Sequence, residues 1–379
     1  MRWSKVLFFL FLFLLPCLAF AQEGDGKIPT FKDTLDGKMD LSRFLIEFNG
    51  FIPIVTIITE PAVGGFGAGI GPVFLTQKKI PGYSGYVAPD ITAAFAMYTV
   101  NDSWGGFAFR QGSFPKQGIK YRVAGGYASI NLSFYHEFEA AGEQQFDFNI
   151  KMVPLLINVS KRISKSDVYL GLKYTFMNNQ LTPDFSESLP DFINEEDLKS
   201  MTSSPGLFLD WDKRNTIFTP DNGFQLNAGY QQDDNWTGSD FTFGRFNELA
   251  VFFWPLKDNW ICGLRFEGLQ ATQDPPFYML PFINLRGIPV MRYQGRQTYV
   301  IETEQRFDLT GRWSLVGFAG YGKAIGENQS FSDGQNVFNV GTGFRYLIAR
   351  VFKMRAGIDV AAGPDSWGWY INFGHAWNR

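Results

Sequence analysis

Apolar and polar residues alternate along most of this chain with a period of two, the repeat of a β-strand whose two faces meet different surroundings. Val168, Leu170, Leu172, Tyr174 and Phe176 share one face, and Tyr169, Gly171, Lys173 and Thr175 share the other. Near the end, Met354, Ala356, Ile358 and Val360 oppose Lys353, Arg355, Gly357 and Asp359. From Phe51 to Trp377 the pattern predicts sixteen strands, the last running from Trp367 to Trp377. An even number lets an antiparallel sheet close on itself. Ahead of the strands, residues 22–48 form a short polar segment with one predicted helix, Leu41 to Phe48, capped by Asp40.

Alternation does not say which face is wet, but residue type does. The polar face carries Lys, Arg, Asp and many Gly, a poor packed core and a suitable lining for a water-filled lumen. A Lys or Arg turned to mid-bilayer instead would cost ~2–4 kcal/mol. Aromatics make up 17% of the chain, with 40 Phe and 40 Gly, yet the mean hydropathy is only −0.10. After the first 21 residues no apolar stretch is long enough for a spanning helix. The expected fold is therefore all-β, an antiparallel transmembrane barrel of sixteen strands, because a closed barrel satisfies its backbone polar groups within the bilayer.

Residues 1–21 have the form of a secretory signal: Arg2 and Lys5, the apolar run Val6 to Leu15, then Ala19-Phe20-Ala21. A lipid anchor on Cys17 is disfavoured, since Pro16 stands where a small residue is wanted. Cleavage leaves Cys262 as a lone thiol with no disulfide partner. A net charge of −3 and an isoelectric point near 5.6 argue against a nucleic-acid partner. The expected organisation is signal 1–21, a short periplasmic segment 22–48 and a barrel 49–379 in a Gram-negative outer membrane, with lipid as its surroundings.

The connections alternate in length. Residues 255–259 and 308–312 are tight, whereas 178–205, 271–296 and 323–335 are long, the rhythm of periplasmic turns and external loops. The 271–296 connection is too long for an ordinary hairpin and carries Asn284-Leu285-Arg286-Gly287-Ile288-Pro289. Arg286 offers five donors in a planar fork and Gly287 lets the backbone turn, so this tip reads either as an anchor seeking a carboxylate or as an ordinary Arg-Gly surface loop.

Four motifs decide between them. They are Leu285-Arg286-Gly287-Ile288; Asp210-Trp211-Asp212-Lys213-Arg214-Asn215 with Gly223; Glu304-Gln305-Arg306-Phe307; and Val316 to Gly322. In that order the chain resembles the BamA/TamA family of outer-membrane proteins, the bacterial surface antigens. The resemblance implies that the loop between strands eleven and twelve folds inward and that Arg286 and Gly287 anchor it to Glu304, with Glu302 in reserve. It also implies a periplasmic turn built on Asp210, Asp212, Arg214, Asn215 and Gly223. Gly320 stands where the family has a second carboxylate for the arginine, so one partner is expected to be missing. The C-terminus fits the family's assembly signal through Gly368, Ile371, Phe373 and Trp377. Pro53, which lacks a ladder donor, and Gly374 suit a weak seam between the first and last strands.

Larger members carry periplasmic POTRA domains ahead of the barrel, and the 22–48 segment has no room for them. The resemblance implies a barrel that folds or moves other outer-membrane proteins, alone or with a separate periplasmic partner; the alternative is a passive channel or structural barrel. No enzyme pattern stands beside these. His136 and His375 have no nucleophile at a useful spacing. The glycines of 65–71 open no helix and lack a phosphate-loop lysine, and no His/Cys cluster suggests a metal or other cofactor.

Overall fold

The protein is described here by a computed structural model covering residues 31–47, 51–76, 78, 87–138, 142–184, 190 and 193–377. The expected signal segment lies outside these residues. A six-residue helix α1 (Ser42–Glu47) precedes sixteen strands. They are β1 (Phe51–Ile58), β2 (Gly67–Thr76), β3 (Asp90–Thr99), β4 (Trp104–Phe114), β5 (Ile119–Phe138), β6 (Gly142–Arg162), β7 (Val168–Pro183) and β8 (Lys199–Asp212). The second half comprises β9 (Gly223–Asp233), β10 (Phe243–Lys257), β11 (Trp260–Gln273), β12 (Gln297–Asp308), β13 (Trp313–Ile325), β14 (Gln335–Ala349), β15 (Met354–Ala362) and β16 (Trp367–Phe373).

Each strand pairs antiparallel with its chain neighbour, which makes one sixteen-stranded sheet in sequence order. The sheet curls until β1 and β16 lie side by side, but among the described residues no ladder joins them. The barrel is thus nearly closed, with two strand edges facing each other at one wall.

Register fixes the faces. Glu302 on β12 opposes Arg265 on β11 and Gly320 on β13, and all three look into the barrel. The neighbouring parity carries Ile301, Leu172, Val340 and Val55 outward, each roughly half exposed or more. So much exposed apolar surface in water would be an aggregation hazard; against lipid it is the stable arrangement. Aromatic pairs ring both ends: Trp260 with Phe307 and Trp313 with Tyr346 at the short-turn end, Tyr230 with Phe246 and Tyr321 with Phe338 at the long-loop end. Among the described residues no helix is long and apolar enough to cross a membrane.

Two expectations are corrected. Much of the 178–205 connection is strand, because β7 runs to Pro183 and β8 starts at Lys199. There Asn179, Ser200, Thr202 and Ser204 are buried polar residues, so no apolar alternation marks the extension. The last strand ends at Phe373, not at Trp377. Gly374 takes φ +87, a left-handed conformation, so it turns the chain rather than weakening a strand. Trp377 then packs inside the barrel against Val251 and Phe253, away from the outward face that Ile371 and Phe373 occupy.

The short-turn end is covered by its own chain. The guanidinium of Arg312, almost wholly buried, is gripped by Asp33, Asp36 and Asp40. Leu45 of α1 packs on Ala349, Phe352 and Met354. The Asp40 carboxylate accepts the Ser42 N–H at 2.7 Å, which caps the helix. Residues 31–47 thus form a strap across the ends of β13 to β15 and not a free polar preface.

Candidate functional site: a loop locked to the barrel wall

The chain between β11 and β12 descends into the lumen. Ile283, Leu285 and Ile288 bury themselves against Val300, Ala324 and Val337 on β12, β13 and β14. That apolar contact brings Arg286 down onto the wall. Gly287, at φ +84, reverses the backbone so close to β15 that a Cβ would lie 3.0 Å from the Ala361 carbonyl. No residue with a side chain fits there without moving the strand.

Arg286 meets three carboxylates. Nη2 donates to Glu302 Oε1 at 2.8 Å, and Nη1 donates to Glu304 Oε2 at 2.8 Å and to Asp359 Oδ2 at 2.6 Å. Its guanidinium lies 3.4 Å from the centre of the Phe318 ring, a cation–π contact that fills its remaining face. The backbone is held as well. Asn339 Nδ2 donates to Arg286 O at 2.8 Å, the Gly287 N–H donates to Tyr370 Oη at 2.8 Å, and Ser366 Oγ donates to Gly287 O.

The loop is tied in this way to β12, β13, β14, β15 and β16. Arg286 is 10% exposed, Glu302 2% and Asp359 not at all. Water therefore screens these pairs little, and the modest energy of a solvated lumen pair does not apply. In such surroundings removing one partner costs ~3–5 kcal/mol.

The expected gap at Gly320 is filled in another way. A Cβ there would come within 2.7 Å of Leu285, so the loop itself occupies the space. The additional carboxylate comes from Asp359 on β15, which the strand pattern placed on the polar face without indicating its partner. Glu302, expected in reserve, contacts Arg286 through two nitrogens. It is also shared with Arg265 at 2.9 Å and accepts Trp377 Nε1–H at 2.7 Å. Sequence reasoning also missed Arg265, Arg345 and Tyr370. Only the inward parity of their strands could have pointed to them.

The residues of the β8–β9 turn gather at the opposite end. Asp212 and Arg214 make a two-pronged pair at 2.9 and 2.8 Å, and Arg214 Nη1 lies 3.0 Å from His375 Nε2. Asn215 Oδ1 accepts the Asp221 N–H, and Gly223, at φ +101, closes the turn where a Cβ would meet Lys213 O at 2.1 Å. Asp210 stands apart on β8 and binds Lys120 and Gln225. The turn reaches across the mouth, where Asp221 pairs with Arg306 and Lys353, Thr219 Oγ1 accepts the Arg355 N–H, and Phe218 O accepts the His375 N–H.

The tail thereby joins the two sites, from Asp212 through Arg214, His375 and Trp377 to Glu302 and Arg286. Gly368 faces the lumen, and Ile371 and Phe373 face outward beside it. Among the described residues no group of His, Cys, Asp and Glu is disposed to hold a metal ion.

A family model described as the Omp85 superfamily domain matches residues 84–278, just over half of the chain. No curated protein matches. Among solved structures, BamA from Haemophilus ducreyi lacking POTRA domains 1–3 aligns with a TM-score of 0.56 at 11% identity, over 85% of this chain and 69% of that one. CdiB from Escherichia coli aligns at 0.59 and 9%, over 84% of this chain and 61% of that one. CdiB from Acinetobacter baumannii aligns at 0.58 and 13%, over 86% of this chain and 60% of that one. The chain thus spans under two thirds of either CdiB.

Proposed function

Since the chain belongs to the Omp85 superfamily, we propose that it is a non-enzymatic outer-membrane barrel that inserts or moves other proteins. In this reading the loop locked through Arg286 is a plug, and the unladdered edges of β1 and β16 are a seam that yields to a client strand. A separate periplasmic protein delivers the client. One observation carries the reading: the loop is bound to the strands that end at the seam, with Gly287 held by Tyr370 of β16 itself. Movement of β16 then loosens the plug, and plug release frees β16. Pro53 on β1 offers no N–H, which keeps the facing edge weak.

A passive channel is the competing reading. It accounts for the charged lumen but gives the free edges and the tail linkage no role. Depletion of the protein followed by proteomics of isolated outer membranes separates the two. Lower abundance of other barrels is expected, and unchanged barrel abundance with altered solute uptake would favour the channel.

A further inference from the structure

The lumen wall is not uniformly wet. From β5 onward inward positions carry charge, as at Arg122, Lys173, Arg245 and Glu304. On β1 to β4, among the described side chains, no inward position is charged. In their place stand Ile54, Val73, Phe95, Met97, Phe107 and Phe109.

These residues are seated against the wall without being covered. Gly69 lies under Phe95, where a Cβ would come within 2.0 Å of the ring, and Gly126 lies under Phe107, where it would come within 2.5 Å. Glycine on the neighbouring strands lets both rings lie flat. Ile54, Phe95, Met97 and Phe107 remain half-buried, and Phe109 is 37% exposed. The anchored loop does not cover them, because its apolar residues pack on β12 to β14 and on β5 to β7.

We propose that this wall binds a lipid acyl chain that enters from the bilayer between β1 and β16. Two arguments select that occupant. The free edges put the apolar wall beside the place where lumen and lipid are separated by no ladder, so the wall is continuous with the hydrocarbon outside. A polypeptide strand added to β1 would turn its polar side chains inward, where this wall offers them no charge; an acyl chain needs none. Burial of the exposed apolar surface drives the binding. The proposal stands apart from the protein-insertion reading and needs only the barrel and its free edges.

The test uses the full chain in vesicles of phosphatidylethanolamine bearing a diazirine near the acyl terminus. After photolysis, peptides from β1 to β4 are sequenced for label. Outward residues such as Val55, Ile70 and Tyr98 face bilayer lipid and are labelled in any case. Label on the opposite parity, at Ile54, Phe95, Phe107 and Phe109, is the expected result, and label confined to the outward set would overturn the proposal. A Phe107→Asp variant that keeps heat-modifiable mobility on gels provides the second measurement. It should lose label at Phe95 and Phe109 by about tenfold or more, since a carboxylate repels hydrocarbon, with Ile70 unaffected. Undiminished inward label in that variant, or inward label from a photoreactive amphipathic peptide but not from the lipid, also counts against it.

Discussion

Arg286 is the residue on which three carboxylates converge, and two of them have a second arginine. Glu302 is shared with Arg265 and Asp359 with Arg345, whose Nη2 lies 2.9 Å away. Removal of Arg286 therefore strands Glu304 most, because Arg345 stands 3.9 Å from it. The Arg286→Ala protein is expected to lose about 3 kcal/mol in urea unfolding from vesicles, the low end for a buried pair. Faster hydrogen exchange at residues 285–290 should accompany that loss. Arg286→Lys should recover only part of it, since an ammonium cannot fork to three acceptors; equal melting of all three proteins would show that the apolar packing alone holds the loop. Trp377→Phe retains the packing on Phe253 and removes one donor to Glu302, at an expected cost of about 1–3 kcal/mol. If its urea midpoint matches the parent's, the tail is not coupled to the loop.

Among the elements, strands were far more legible in the sequence than the segments that lock them. Period-two alternation identified sixteen strands because lipid and lumen demand opposite chemistry on adjacent residues. It failed at the long-loop end of β7 and β8, where both faces are polar, and at Trp377, where an aromatic after a strand looks the same whether the chain continues or turns inward. It placed Asp359 on the right face but not beside Arg286, since that proximity follows from curvature across β12 to β15. The strap of residues 31–47 read as a polar preface because its partners, Arg312 and Arg350, lie at the far end of the chain.

Hydrogen bonds from Arg350 and the Leu35 N–H hold the Asp33 carboxyl well below its ordinary value, and those from Arg312 and the Lys38 N–H lower Asp36. A lowered acid stabilises the bound strap above its unfolded pKa of 3.8, and that stabilisation is lost as pH falls through the folded value. Hydrogen exchange corrected for intrinsic rates should show the strap protected at neutral pH and released in acid below that value. Protection that persists there would mean that Leu45 and its apolar neighbours suffice.

For the whole molecule, the charged anchors of the inward loop, the tail and the strap sit on strands other than those of the apolar wall. The tail and the strap grip β10 to β16, and the inward loop binds β12 to β16 and packs Phe277 and Tyr278 on β5 to β7. The β1–β2 hairpin meets that loop through Glu60, beyond the end of β1, whose carboxylate accepts the Val290 N–H at 3.0 Å. One side is a braced frame and the other a panel held chiefly by its ladders, with Glu60 tied to the loop at its rim. The panel edge is therefore expected to open first, and exchange at β1 should exceed that at β12; the reverse order would place the compliant wall elsewhere.

The strap also constrains how this protein comes into being. Asp33, Asp36 and Asp40 bond to an arginine that follows them by 279, 276 and 272 positions. Contacts so distant in sequence cannot form until β12 to β15 are in place, and closing so large a loop is slow. A segment synthesised ahead of every strand is accordingly the last to dock, and its three acids report that the final hairpins have been laid down.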